Sequence, residues 1–306
     1  MTGGAANPIT TGEMTTPPIL FDQTLRARRR SRALTRPVEG ADFLYRAAAE
    51  DLTDRLATVQ RRFALAAEID SRFPVLAATG QVDGVIRMDR LADSAPDLVG
   101  DAEQLPFAPG TFDLAVAVLS LHWANDLPGT LAQIRRALRP DGLFLAAILG
   151  GETLTELRQS FAVAESEISG GAAPRVAPFA EIRAAGALLQ RAGFALPVID
   201  QDRRTVRYDS AFALMRDLRA TGDTSVLIER DRRPLRRSVL MRMAEVYAER
   251  FADADGRIRA TFDIISLSGW VPHESQQKPL RPGGAKTRLA DALGTVERSA
   301  GEKPGD

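Results

Sequence analysis

Apolar residues fall along this 306-residue chain in two rhythms. Leu127, Leu131, Ile134 and Leu138 recur at spacings of four, three and four, which predicts a helix over Asp126–Leu138. Phe112–Leu121 and Leu143–Leu149 are nearly unbroken apolar runs, as expected of strands buried on both faces of a parallel sheet. Weaker patterns place strands at Phe63–Ile69, Gly84–Met88, Pro197–Val206 and Thr261–Trp270. Helices are expected at Phe21–Pro37, Ala41–Val59, Thr153–Glu165, Ile182–Ala192, Ser210–Arg219 and Leu235–Phe251, with Gly193 closing the fourth. Arg139-Pro140-Asp141-Gly142 reads as a turn. Alternating strands and helices predict an α/β fold with a parallel sheet covered on both sides. Ligands in such folds bind beyond the carboxyl ends of the strands, at the switch between halves. That points to the loops at Glu68–Phe73 and His122–Asp126.

The ends of the chain differ from its body. Residues 1–20 are rich in Thr, Gly and Pro and read as a disordered leader, without the apolar core of a signal peptide. The chain after Ser275 is polar and holds all three lysines, Lys278, Lys286 and Lys303, so residues 275–306 read as a disordered tail. Between them lie a helical cap, 21–60, and an α/β domain, 61–274. No apolar run is long enough to span a bilayer. The Ala- and Arg-rich usage suggests a GC-rich bacterial genome and a cytoplasmic protein.

Forty cationic and forty acidic side chains cancel, which removes a bulk field for nucleic acid. The cancellation hides two opposed segments. Residues 23–37 carry six Arg and no acid; residues 91–134 carry six acids and no Lys or Arg. The basic helix is therefore expected either to meet an anionic partner or to close over an acidic pocket mouth. Without Cys, thiolate chemistry and disulfides are excluded. His122 and His273 are the only imidazoles.

Several blocks carry a resemblance. Asp101-Ala102-Glu103-Gln104-Leu105-Pro106-Phe107 with Phe112-Asp113-Leu114 resembles the adenine-side loop and fourth strand of class I S-adenosylmethionine-dependent methyltransferases of type 11. Leu119-Ser120-Leu121-His122-Trp123-Ala124-Asn125-Asp126, Gly150-Gly151-Glu152-Thr153-Leu154 and Gly269-Trp270-Val271-Pro272-His273-Glu274-Ser275 are more specific. They are similar to the respiratory complex I assembly factor 5 branch, as is Phe21-Asp22 opening an Arg-rich helix. The likeness implies a seven-stranded, mostly parallel, Rossmann-like class I methyltransferase fold with insertions after the fifth strand. It also implies a role in complex I assembly on a protein substrate or complex I subunit. Malonyl-carrier-protein methyltransferases are less similar cousins.

The resemblance assigns S-adenosylmethionine contacts to Glu68 (amine), Asp89 (ribose hydroxyls), Asp101 and Ala102 (adenine edge) and Leu119. His122 is the candidate catalytic proton acceptor, because a neutral imidazole at the crevice suits that task. Trp123, Asn125 and His273 are candidate substrate contacts, and Trp270 a core residue. A structural role stands beside each of these readings. One departure counts against the cofactor. Where the family has Gly-x-Gly after its first strand, this chain has Asp70-Ser71-Arg72. Side chains at both glycine positions are expected to obstruct the methionine end. Three functions follow: methyl transfer to a protein or small nucleophile, a degenerate methyltransferase acting as a non-enzymatic assembly factor, or protein arginine hydroxylation. Two His and a carboxylate would suit the iron of the last.

Overall fold

A computed structural model describes residues 19–179 and 181–276. Residues 1–18 of the predicted leader and most of the predicted tail lie outside them. By its internal contacts the chain through Pro272 forms one unit, and His273 onward a second.

Two helices open the described chain, α1 (Gln23–Thr35) and α2 (Phe43–Ala57). Strands β1 (Phe63–Ile69), β2 (Val82–Asp89), β3 (Leu98–Val99) and β4 (Phe112–Val118) follow. Then come α3 (Leu127–Ala137), β5 (Leu138–Leu149), α4 (Thr155–Ser169), α5 (Ile182–Arg191) and β6 (Ala195–Tyr208). The chain continues through α6 (Ala211–Thr221), α7 (Arg237–Phe251) and β7 (Ile258–Trp270). The seven strands form one sheet in the order β3-β2-β1-β4-β5-β7-β6. All neighbours are parallel except β7, which runs antiparallel to β5 and β6. The α/β expectation therefore holds, with α4 and α5 inserted after the fifth strand and α6 and α7 between the sixth and seventh.

The central strand explains why both faces are covered. Successive side chains of a strand point to opposite sides. Leu114, Val116 and Val118 enter one core with residues of α2, α4 and α7, while Ala115 and Ala117 enter the other with α3 and α5. Trp270 packs against the first core. Gly193, with φ at 85°, continues α5 into the left-handed cap expected of it, and Phe194 N–H returns to Leu189 O.

Two boundaries differ from expectation. Strand β5 starts at Leu138, through the residues read as a turn, because Leu138 pairs with Phe112 before a register shift. Asp141, at φ 61°, takes up the irregularity. Strand β4 ends at Val118, and the next residues to Trp123 turn into a single helical turn.

Candidate functional site: a crevice filled from within

Helix α1 lies over the carboxyl ends of β1 and β2. Its N-cap is Asp22, whose carboxylate accepts from Leu25 N–H at 2.9 Å. Arg26 and Arg30 share one helix face at a spacing of four and are buried; Arg28 and Arg32 point outward. The buried pair enters the crevice. Arg26 Nη2 donates to Asp70 Oδ2 at 2.7 Å, and Arg30 Nη1 to Asp70 Oδ1 at 2.6 Å. The other arm of Arg30 donates to Asp89 Oδ2 at 2.8 Å. Two cations and two anions thus neutralise one another out of water. Burial alone would raise the Asp70 carboxyl, but Arg26 and Arg30 outweigh it and hold the carboxyl well below the usual range. Burial opposes charge on Arg30 too; Asp70 and Asp89 more than offset it and raise its pKa.

Asp70 has φ at 53°, the left-handed conformation that the glycine of the family's motif would supply. Aspartate is among the side-chain-bearing residues that visit this region most readily. The backbone turn is preserved while the space a glycine leaves open is taken by a carboxylate. Arg72, the second replacement, acts elsewhere than expected. Its guanidinium stacks over Tyr45, 4.5 Å from the ring centre, and donates to Thr221 O, tying the loop to α2 and the end of α6. Gly222, just past α6, permits the close approach of that end to α1: a Cβ there would lie 2.9 Å from Arg29 O.

Most candidate contacts serve the protein itself. Glu68 is fully buried; its Oε1 accepts from Val75 and Leu76 N–H at 2.9 and 2.6 Å, closing the loop after β1. Its carboxyl is raised by burial, in part countered by those amides and by Arg87. Asp89 also accepts from Leu91 N–H at 2.8 Å. Asp101 meets Arg90 at 2.5 Å and its own loop at Glu103 N–H. Ala102 stays half-buried beside it, and Leu119 is buried at φ 46°. Asn125 Oδ1 accepts from Leu20 and Phe21 N–H, both at 2.8 Å, so it clamps the entry to α1. Trp123 is 4% exposed, packs edge-on against Phe21 and Phe179, and accepts from Gln23 through its carbonyl. His273 belongs to the second unit, is exposed, and meets Ser275 Oγ at 2.7 Å.

His122 differs from the expected proton acceptor. Its Nδ1 accepts from Leu149 N–H at 3.3 Å, which places the ring proton on Nε2. Nε2 is buried without a partner. Burial first, then the nearby Arg26, lower its pKa to about 3. The ring is a neutral donor locked between Trp123 and Phe179, not a base poised near neutrality.

Sequence reading missed Glu103. Its carboxylate accepts from Asn125 and Asp126 N–H at 3.2 Å each and from Gln23 at 3.4 Å, binding the adenine-side loop, the loop after β4 and α1 together. It lies inside the block that carries the resemblance, but nothing in that block points to Gln23.

A methyltransferase-domain family model matches residues 68–146. A Rattus norvegicus protein named "Arginine-hydroxylase NDUFAF5, mitochondrial" is 35% identical over 304 residues, 94% of this chain and 88% of that one. The protein of that name from Danio rerio is 43% identical over 194 residues, so the matched stretch spans 63% of this chain and 60% of the relative. Among solved structures, a provisionally named methyltransferase from Bacillus halodurans C-125 superposes with a TM-score of 0.50 at 14% identity, over 74% of this chain and all of that one. That likeness confirms the fold.

The fold family implies S-adenosylmethionine, and the residues present do not accommodate it with α1 seated. Arg30 takes the acid at the end of β2, and Asp70 with its two arginines fills the space after β1. The cavity left beside Asp101 and Ala102 measures about 10 Å³. That is room for about one water.

Proposed function

The chain belongs to the NDUFAF5 family, and from that premise we propose that it serves respiratory complex I assembly by binding a complex I subunit, its methyltransferase fold acting as scaffold. Arg30 carries the reading. One guanidinium engages Asp70 and Asp89 together, at 2.6 and 2.8 Å, where the cofactor of a methyltransferase would need those positions free. Methyl transfer would require α1 to leave, exposing Asp70 and Asp89 without their cations. A protein partner and a cytoplasmic location are parts of this proposal; the relatives above are named mitochondrial.

Arginine hydroxylation is a second reading, favoured by one observation: the crevice acids are already arranged around guanidinium groups. The relatives carry that activity in their names. Among the described residues no group of three or more His, Asp or Glu is placed to hold a metal, so no iron-dependent step is assigned to them.

The test is deletion of the gene followed by a complex I activity assay and mass spectrometry of complex I subunits. The assembly role predicts lost activity, restored by the intact chain. Normal complex I in the deletion strain contradicts it. An arginine that loses one oxygen atom on deletion favours the second reading over the first.

A further inference from the structure

Away from the Asp70–Arg30 cluster, between α4, α6 and the chain segments before α5 and α7, lies a cavity of about 200 Å³. Leu157, Phe161, Val176, Met215 and Leu218 give it an apolar wall. A smaller cavity of about 40 Å³ adjoins it, sharing Trp123, Phe179 and Leu218. By the measure in which one water needs about 10–15 Å³, the larger space takes roughly 13 to 20 heavy atoms. Its polar features are confined. Asp223 is engaged by Tyr45 Oη at 2.8 Å, and Arg175 by Glu165 at 2.5 Å. Ser225 Oγ is buried with no partner, and Arg219 makes no ion pair among the described residues. Both line the cavity.

The surroundings of that rim carry excess positive charge. Arg29 donates to Thr224 O and Ser225 O at 2.9 and 2.5 Å. Burial and then the charges of Arg230, Arg32 and Arg219 depress its pKa, with Asp22 the acid that opposes them. An apolar cavity whose lining includes an unpartnered hydroxyl and an unpaired guanidinium has the complementarity of an amphiphile with an anionic head.

We propose that this cavity is a binding site for a small amphiphilic carboxylate, its hydrocarbon body against Phe161, Met215 and Leu218 and its head on Ser225 Oγ and Arg219. The inference does not depend on the assembly role, because neither Asp70 nor Asp89 lines the cavity.

Octanoate is the probe, titrated into the full chain by calorimetry and by ligand-observed NMR, with octylammonium as the charge control. The expected result is binding of octanoate and none of octylammonium. Met215→Trp should abolish binding by filling the cavity. Arg219→Glu, at an exposed position that leaves the fold intact, should weaken it by about fivefold or more, the upper range for an exposed ion pair. Failure of octanoate to bind, equal binding of the two amphiphiles, or unchanged affinity in Arg219→Glu would each overturn the proposal.

Discussion

The two ends of the crevice treat the same ancestral plan differently. At the end where the resemblance implies an adenine contact, Asp101 and Ala102 make light interactions: a half-exposed pair of Asp101 with Arg90 and a turn within the loop. At the β1 end the glycine is gone, and the acid in its place is buried in an ion-pair network with a helix some forty residues earlier in the chain. The block that carries the resemblance and a filled site coexist in one pocket lining. Motif integrity at one end of a cleft therefore says little about occupancy of the other.

The largest effect that would break this contrast is expected from Arg30→Ala. It leaves Asp89 buried without its cation, and removing one partner of a buried pair costs about 3–5 kcal/mol. Urea unfolding at neutral pH reads it; a loss under 1 kcal/mol would mean that the network is not the anchor of α1.

Acidification comes next. His122 has a folded pKa of about 3, below the ~6.5 of an unfolded histidine. The folded state favours the neutral ring, so its contribution is complete above pH 6.5 and is lost as the pH falls toward 3. Between pH 7 and 5 that is about 2 kcal/mol. Asp70, held low, gives up its own contribution only below about pH 4. His122→Asn should therefore flatten the unfolding free energy between pH 7 and 5 relative to the parent; an unchanged slope would place the imidazole in solvent.

A smaller loss, about 1 kcal/mol, is expected when Asp22→Ala removes the cap of α1. It should appear first as faster amide exchange along α1 rather than as a global shift. Smallest of all, Asp101→Ala should cost less than about 1 kcal/mol, as exposed pairs do. A cost equal to that of Arg30→Ala would erase the difference between the two ends.

Local pattern carries much of this molecule. Strand β4 and most of β5 are legible because both of their faces are apolar, and α3 because its apolar residues keep helical period. Leu98–Val99 is too short for periodicity to mark, and β5 begins at Leu138 because Phe112 on another strand pairs there. The site was legible in parts: an Arg-rich helix, an acidic crevice and a lost glycine can all be read from the chain. Helix closure over the crevice follows from opposite charge, but the acids that pair with its arginines are Asp70 and Asp89, not those of residues 91–134. Which carboxylate a guanidinium reaches depends on contacts 40 and 59 residues apart in the chain, and no local spacing encodes them. For His122, proximity to the crevice suggested a base; the Leu149 amide, 27 residues on, fixes its tautomer instead.

The central claim is that α1 fills the cofactor site. Titration calorimetry with S-adenosylmethionine tests it on two proteins, the parent and Arg26→Ala/Arg30→Ala/Asp70→Gly. The account predicts no heat of binding with the parent at high protein concentration. With the triple variant, in which the arginines are removed and the glycine restored, it predicts measurable binding. Binding of S-adenosylmethionine by the unaltered chain would contradict it.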